Sequence, residues 1–108
     1  MTIAITSTGL ALTRALRGEV RRRVLLALSR FGREIRGVTV HLTESANPLG
    51  GVDPRCRLEA RLHSGPPLCA EAMSDRIETA VSRSAAHLAL LVDAALGAGA
   101  GRPRVPGS

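Results

Sequence analysis

The cationic side chains of this chain are all arginine, fifteen of them, and they hold most of the chemistry on offer. A guanidinium presents a planar fork of donors that pairs bidentately with phosphate and stacks on bases. Arg14, Arg17, Arg21, Arg22, Arg23, Arg30, Arg33 and Arg36 fall in one stretch, Thr13 to Arg36, with only Glu19 and Glu34 against them. Elsewhere the chain holds seven arginines and seven acids and is neutral. The whole net charge of +6 therefore belongs to that stretch. A basic helix on a neutral body points to a polyanion, and RNA or DNA is the usual one. The plainer reading is a solvated face whose arginine stems cover apolar surface. Such a face usually mixes signs, with acids and arginines four apart, and here only Glu19–Arg23 and Arg30–Glu34 do so.

Other chemistries find less support. His41, His63 and Cys69 could share one wet sheet face, but nothing resembles CxxC or HxxxH spacing, and no metal is expected. Cys56 reads as a small core residue with no base placed beside it. Two cysteines are too few for a disulfide framework. Gly50-Gly51 lacks the Gly-Lys-Ser/Thr ending of a phosphate loop. No pair of carboxylates is placed for acid–base work. The expectation is a protein that is not an enzyme, with no cofactor and no small-molecule substrate. Phe31 is the only aromatic residue. Single-strand readers stack bases on Phe or Tyr, so recognition here should go through phosphates, hydroxyls and shape.

The elements that must position these groups follow from apolar periodicity. Thr2–Ser7 alternates and predicts a strand. Thr13 is a candidate N-cap for a helix of about five turns, with Leu16, Val20, Val24, Ala27, Leu28 and Phe31 on one stripe. Gly32 and Gly37 bracket its exit. Val38, Val40 and Leu42 alternate with Thr39, His41 and Thr43 in a second strand. Ala46–Asp53 reads as a loop. Pro54–His63 alternates again, and Leu68, Ala70 and Ala72 mark a fourth strand. Ser74 or Asp75 caps a second helix, whose stripe is Ile77, Val81, Ala85, Leu88, Leu91, Val92 and Ala95. Gly97 should end it. One domain over residues 1–96 and a disordered, low-complexity tail over 97–108 are predicted. The order β-α-β-β-β-α with half-wet strands predicts an α+β two-layer sandwich, a four-stranded sheet with both helices on one face. No apolar run is long enough to span a membrane, and the N-terminus lacks the features of a signal peptide, so a cytoplasmic location is expected.

Rotation of about 100° per residue sends Arg14, Arg17 and Arg21 to one flank of the first helix. Arg22 and Arg33 point away from the core, and Arg23 and Arg30 take the other flank. On the second helix Arg76, Arg83 and His87 line one edge, with Asp75, Glu78 and Asp93 on the other side. If the two helices adjoin, they border one basic groove. Arg55, Arg57 and Arg61 stand on the open sheet face, where edge-strand protection is the bland explanation.

The segment VTVHLTESANPLGGVDPRCRLEARL (Val38–Leu62), with the basic first helix and the β-α-β-β-β-α order, resembles the ribosome-associated inhibitor and hibernation-promoting factor family of bacteria. The pattern uses Val38, Val40, His41, Leu42, Gly50, Gly51, Asp53, Arg55, Cys56, Leu58, Glu59, Ala60 and Arg61. The resemblance covers about residues 2–96. It implies a double-stranded-RNA-binding-like sandwich that binds the small ribosomal subunit and its rRNA in the channel of messenger and transfer RNA, blocking translation. It further implies rRNA contacts from basic residues of both helices and adjoining strand ends, and with the charge pattern the expected phosphate contacts are Arg14, Arg17, Arg21, Arg22, Arg30 and Arg33, with Arg76 and Arg83 assisting. The second helix departs from the family in being poor in basic residues. The dimerisation domain of the family's long form has no counterpart in the last twelve residues, so a monomer when free is expected. The alternative is a protein-interaction module that docks a partner or self-associates through Leu88, Leu90, Leu91 and Leu96.

Overall fold

The structure, a computed structural model, describes residues 1–100. Its order is β1 (Thr2–Ser7), α1 (Arg14–Leu28), a 3-10 turn (Ser29–Phe31), β2 (Ile35–Ala46), β3 (Val52–Leu62), β4 (Leu68–Met73) and α2 (Ile77–Ala100). The strands form one sheet in the order β1-β2-β3-β4. β1 runs parallel to β2, which requires a crossover, and α1 supplies it. The β2–β3 and β3–β4 pairs are antiparallel.

The predicted α+β sandwich is the observed architecture. Val38, Val40 and Leu42 face Cys56, Leu58 and Ala60 across β2 and β3, and all six are fully buried. Val20, Val24 and Leu28 of α1 and Val81, Ala85, Leu88 and Val92 of α2 close over them in one aliphatic core. The opposite sheet face carries Thr39, His41, Arg55, Arg57 and Arg61.

Three boundaries differ from expectation. Thr13 does cap α1, its Oγ1 accepting the Leu16 N–H at 3.0 Å, but the α-helix stops at Leu28. A 3-10 turn follows, in which side chains three apart eclipse, so Phe31 falls over Leu28 and into the core. Second, the strands reach into the expected Ala46–Asp53 loop, leaving a turn of five residues, 47–51. The Asn47 N–H donates to the Gly51 carbonyl, the Gly50 N–H donates back to Asn47, and both glycines take positive φ. Third, α2 continues past Gly97 to Ala100. Gly97 has no positive φ and so forms no left-handed cap, and the alanines around it are the best helix formers. The rest of the tail expected over 97–108, residues 101–108, lies outside the described residues.

Cys56 is fully buried, and loss of water contact pushes its thiol up to about 11 from an ordinary 9.0, with a Ser84 hydrogen bond acting the other way. A folded-state value above the unfolded one stabilises the fold fully below pH 9, and that contribution is lost as pH rises through 11. The chain has neither Tyr nor Lys to titrate in this window. Urea unfolding should show stability falling by on the order of 2 kcal/mol between those limits. Cys56→Ala should remove most of that slope; an unchanged slope would assign it elsewhere.

Candidate nucleic-acid interface

Burial of Val20, Val24 and Leu28 fixes the rotation of α1 and leaves Arg14, Arg17, Arg21 and Arg22 exposed. Arg17 leans toward β1, its Nη1 donating to the Ile5 carbonyl at 3.4 Å. Arg22 and Arg23 both donate to Glu19, at 2.7 and 2.6 Å, and those hydrogen bonds, Arg22's first, hold the Glu19 carboxyl below its ordinary range. Arg23 does not face solvent as a free cation. Its Nη1 donates to Ser82 Oγ at 2.7 Å and to the Glu78 carbonyl at 3.4 Å, tying α1 to α2.

Arg30 and Arg33, expected on the first helix, lie beyond it. Arg30 belongs to the 3-10 turn and stacks over the Phe31 ring at 4.5 Å. Arg33 follows in the turn before β2, where its carbonyl accepts from His63 Nε2 at 3.0 Å. Glu34 leaves the helical register too, so the expected Arg30–Glu34 pair does not form. Arg36 is the extra residue where the β2–β3 register shifts, and it is exposed.

Arg76 precedes α2 and stands 3.9 Å from Glu78. Arg83 is exposed on α2. The helices do adjoin, but the groove between them, about 260 Å³, is lined by Arg22, Arg23, Leu26, Ala27 and Ser82. Arg76 and Arg83 are not part of its lining, and Arg23 spends its donors inside it.

The charge pattern separates the two sides of the molecule. Among the described residues Arg14, Arg17, Arg21, Arg30, Arg33, Arg36 and Arg83 have no carboxylate within 4.0 Å. Six of those seven belong to α1 and the segment that leads from it into β2. On the sheet face every arginine is paired: Arg55 and Arg57 with Glu71, and Arg61 with Glu59 at 3.8 Å. Arg55 is the larger cause that holds the Glu71 carboxyl below its ordinary range. Edge protection does not explain this ladder, because β3 is an interior strand. Arg61 also donates to Thr39 Oγ1 at 2.9 Å by lying across Gly37, where a Cβ would sit 2.5 Å from its Nη2.

His41 and Cys69 do not meet. β3 separates their strands, and His41 is engaged with Thr6 Oγ1 at 2.7 Å. His63 lies beyond the end of β3. No three metal-ligating side chains gather among the described residues. The apolar end of α2 is mostly core: Leu88 is fully buried and Leu91 and Leu96 pack on the core, so only Leu90, 67% exposed, faces out. No helix among the described residues is long and apolar enough to cross a membrane.

No protein-family model matches the chain, and no curated protein matches it by sequence. Solved structures do match. A ribosomal subunit interface protein from Coxiella burnetii superposes with a TM-score of 0.70 at 20% identity, covering 88% of this chain and 97% of its own. The N-terminal domain of Thermus thermophilus Protein Y gives 0.61 at 19% identity, over 86% and 93% of the two chains. The chain therefore shares the fold of these two proteins, the α+β sandwich that the resemblance in its sequence implied.

Proposed function

We propose that this protein is a non-enzymatic ribosome-binding factor that inhibits translation by occupying the messenger and transfer RNA channel of the small subunit. The observation that carries the reading is the row of arginines without carboxylate partners on α1 and the turn after it, set against a sheet face whose arginines are all paired. An unpaired, exposed guanidinium loses little on meeting a phosphate, whereas a paired one must first give up its acid. Arg14, Arg17, Arg21, Arg30 and Arg33 are the principal phosphate contacts on this reading. Arg22, shared with Glu19, is next, and Arg76 and Arg83 assist. The exposed surface offers no Phe, Tyr or Trp ring to stack a base, which favours backbone and shape over sequence. The fold shared with a ribosomal subunit interface protein supports the ribosome as the source of the polyanion. Inhibition is then steric, and the cytoplasm is where the protein acts.

The test is the salt dependence of binding to purified small subunits. Log K should fall with log salt with a slope on the order of −5, and single Gln replacements at Arg14, Arg17 or Arg21 should each reduce the slope by about 1. A slope near zero, or no binding to small subunits in dilute buffer, would overturn the proposal.

A further inference from the structure

The outward face of α2 has an order that a phosphate contact by Arg83 alone does not explain. Leu88 is fully buried against the sheet, and this fixes which residues point away. Opposite it stand Arg83, Ala86, Leu90 and Asp93, all exposed. Their spacings of three, four and three are those of a coiled-coil seam. Neither Arg83 nor Asp93 has an ion-pair partner among the described residues. The two lie about 15 Å apart along the helix, too far to reach each other.

The spacing reads the same in both directions, while the chemistry reverses. A second copy laid antiparallel places Arg83 opposite Asp93 and Ala86 opposite Leu90, and each pairing occurs twice about the two-fold axis. Opposite charges meet, and the stripe's large apolar side chain, Leu90, meets a methyl group. A parallel copy would set Arg83 on Arg83 and Asp93 on Asp93.

We propose that this stripe is a self-association surface whose occupant is a second copy of the chain, bound antiparallel through α2. Such a contact is isologous, so it closes at two copies. With one leucine a side it falls short of the roughly 800 Å² per partner of a standard interface, so the dimer is weak and forms when the protein is concentrated. The monomer expected from the sequence is then the dilute form. Arg83 is common to both surfaces, so a copy engaged through α2 has withdrawn that arginine from phosphate.

The proposal is measured without RNA, so its failure leaves the ribosome reading untouched. Sedimentation equilibrium of the full chain in low salt should pass from monomer toward dimer as protein rises to about 1 mM. Arg83→Asp alone and Asp93→Arg alone should each weaken association by about tenfold or more. The double variant R83D/D93R re-forms both pairs with the signs exchanged and should recover the original association. Circular dichroism of the surface variants should match the parent. Monomer at every concentration, a double variant as weak as the singles, or growth beyond two copies would overturn the proposal.

Discussion

Reversing three charges on one side of α1, Arg14→Glu, Arg17→Glu and Arg21→Glu together, should weaken binding to small ribosomal subunits by roughly a thousandfold or more near 100 mM salt. Each lost phosphate contact forfeits the counterions it would have released, and each new carboxylate repels the backbone it faces. Among the described residues none of the three arginines forms an ion pair, so the fold loses little. The comparison is with Arg55→Gln, Arg57→Gln and Arg61→Gln on the sheet face, where each arginine already has a carboxylate neighbour. That variant should bind within about threefold of the parent, because its cations are engaged and face away from α1. Co-sedimentation at several salt concentrations checks both. A sheet-face loss about half that of the helix variant in log K, in proportion to the charge removed, would mean that net charge, rather than the helix, governs association.

The second large effect separates two leucines two residues apart. Leu88→Ala should cost about 2–5 kcal/mol, because it opens a cavity in a core that contains no ring but Phe31. At roughly 4–8 °C per kcal/mol for a domain of this size, the melting temperature should drop by about 10 °C or more. Leu90→Ala, on a side chain 67% exposed, should change stability by less than about 0.5 kcal/mol in dilute solution. Urea unfolding of the two variants gives the comparison directly. Similar losses would mean that Leu90 is held by contacts the fold does not provide.

Which parts of this were legible in the sequence follows from how local each cause is. Alternation in Val38–Thr43 and Pro54–His63 reads cleanly because one sheet face is wet, and the strands are found there. The Thr13 cap and the Val20–Val24–Leu28 stripe are local in the same sense, and they fix where Arg14, Arg17 and Arg21 point. Arg30 and Arg33 slip off the helix because burying Phe31 tightens the last turn, a tertiary demand that periodicity does not contain. The engagement of Arg55 and Arg57 depends on the register that sets Arg57 opposite Glu71, and spacing along one strand is silent on register. Arg23 is the clearest omission from a structural account by sequence. Its pairing with Glu19 is visible four residues away, but its grip on Ser82 spans 59 residues and appears only once the helices pack. Leu88, buried, and Leu91 and Leu96, partly buried against the core, are leucines like Leu90, and only the rotation of α2 on the sheet tells them apart.

The β2–β3 hairpin outreaches its neighbours. β1 follows β2 only as far as Leu42, and the β4 register begins at Arg55. Ser45–Ala46, Val52–Asp53 and the turn between them stand as a two-stranded ribbon, tipped by Leu49 at 95% exposure. A ribbon of two strands twists more freely than a sheet and is marginal alone. Its amides should exchange with solvent earliest among the strands. Any contact made by that tip must first offset the entropy of stilling it. On the proposed function the guanidinium row rides on a helix already anchored by its apolar stripe, so its contacts would carry no such cost, and the ribbon would be left as a compliant feeler.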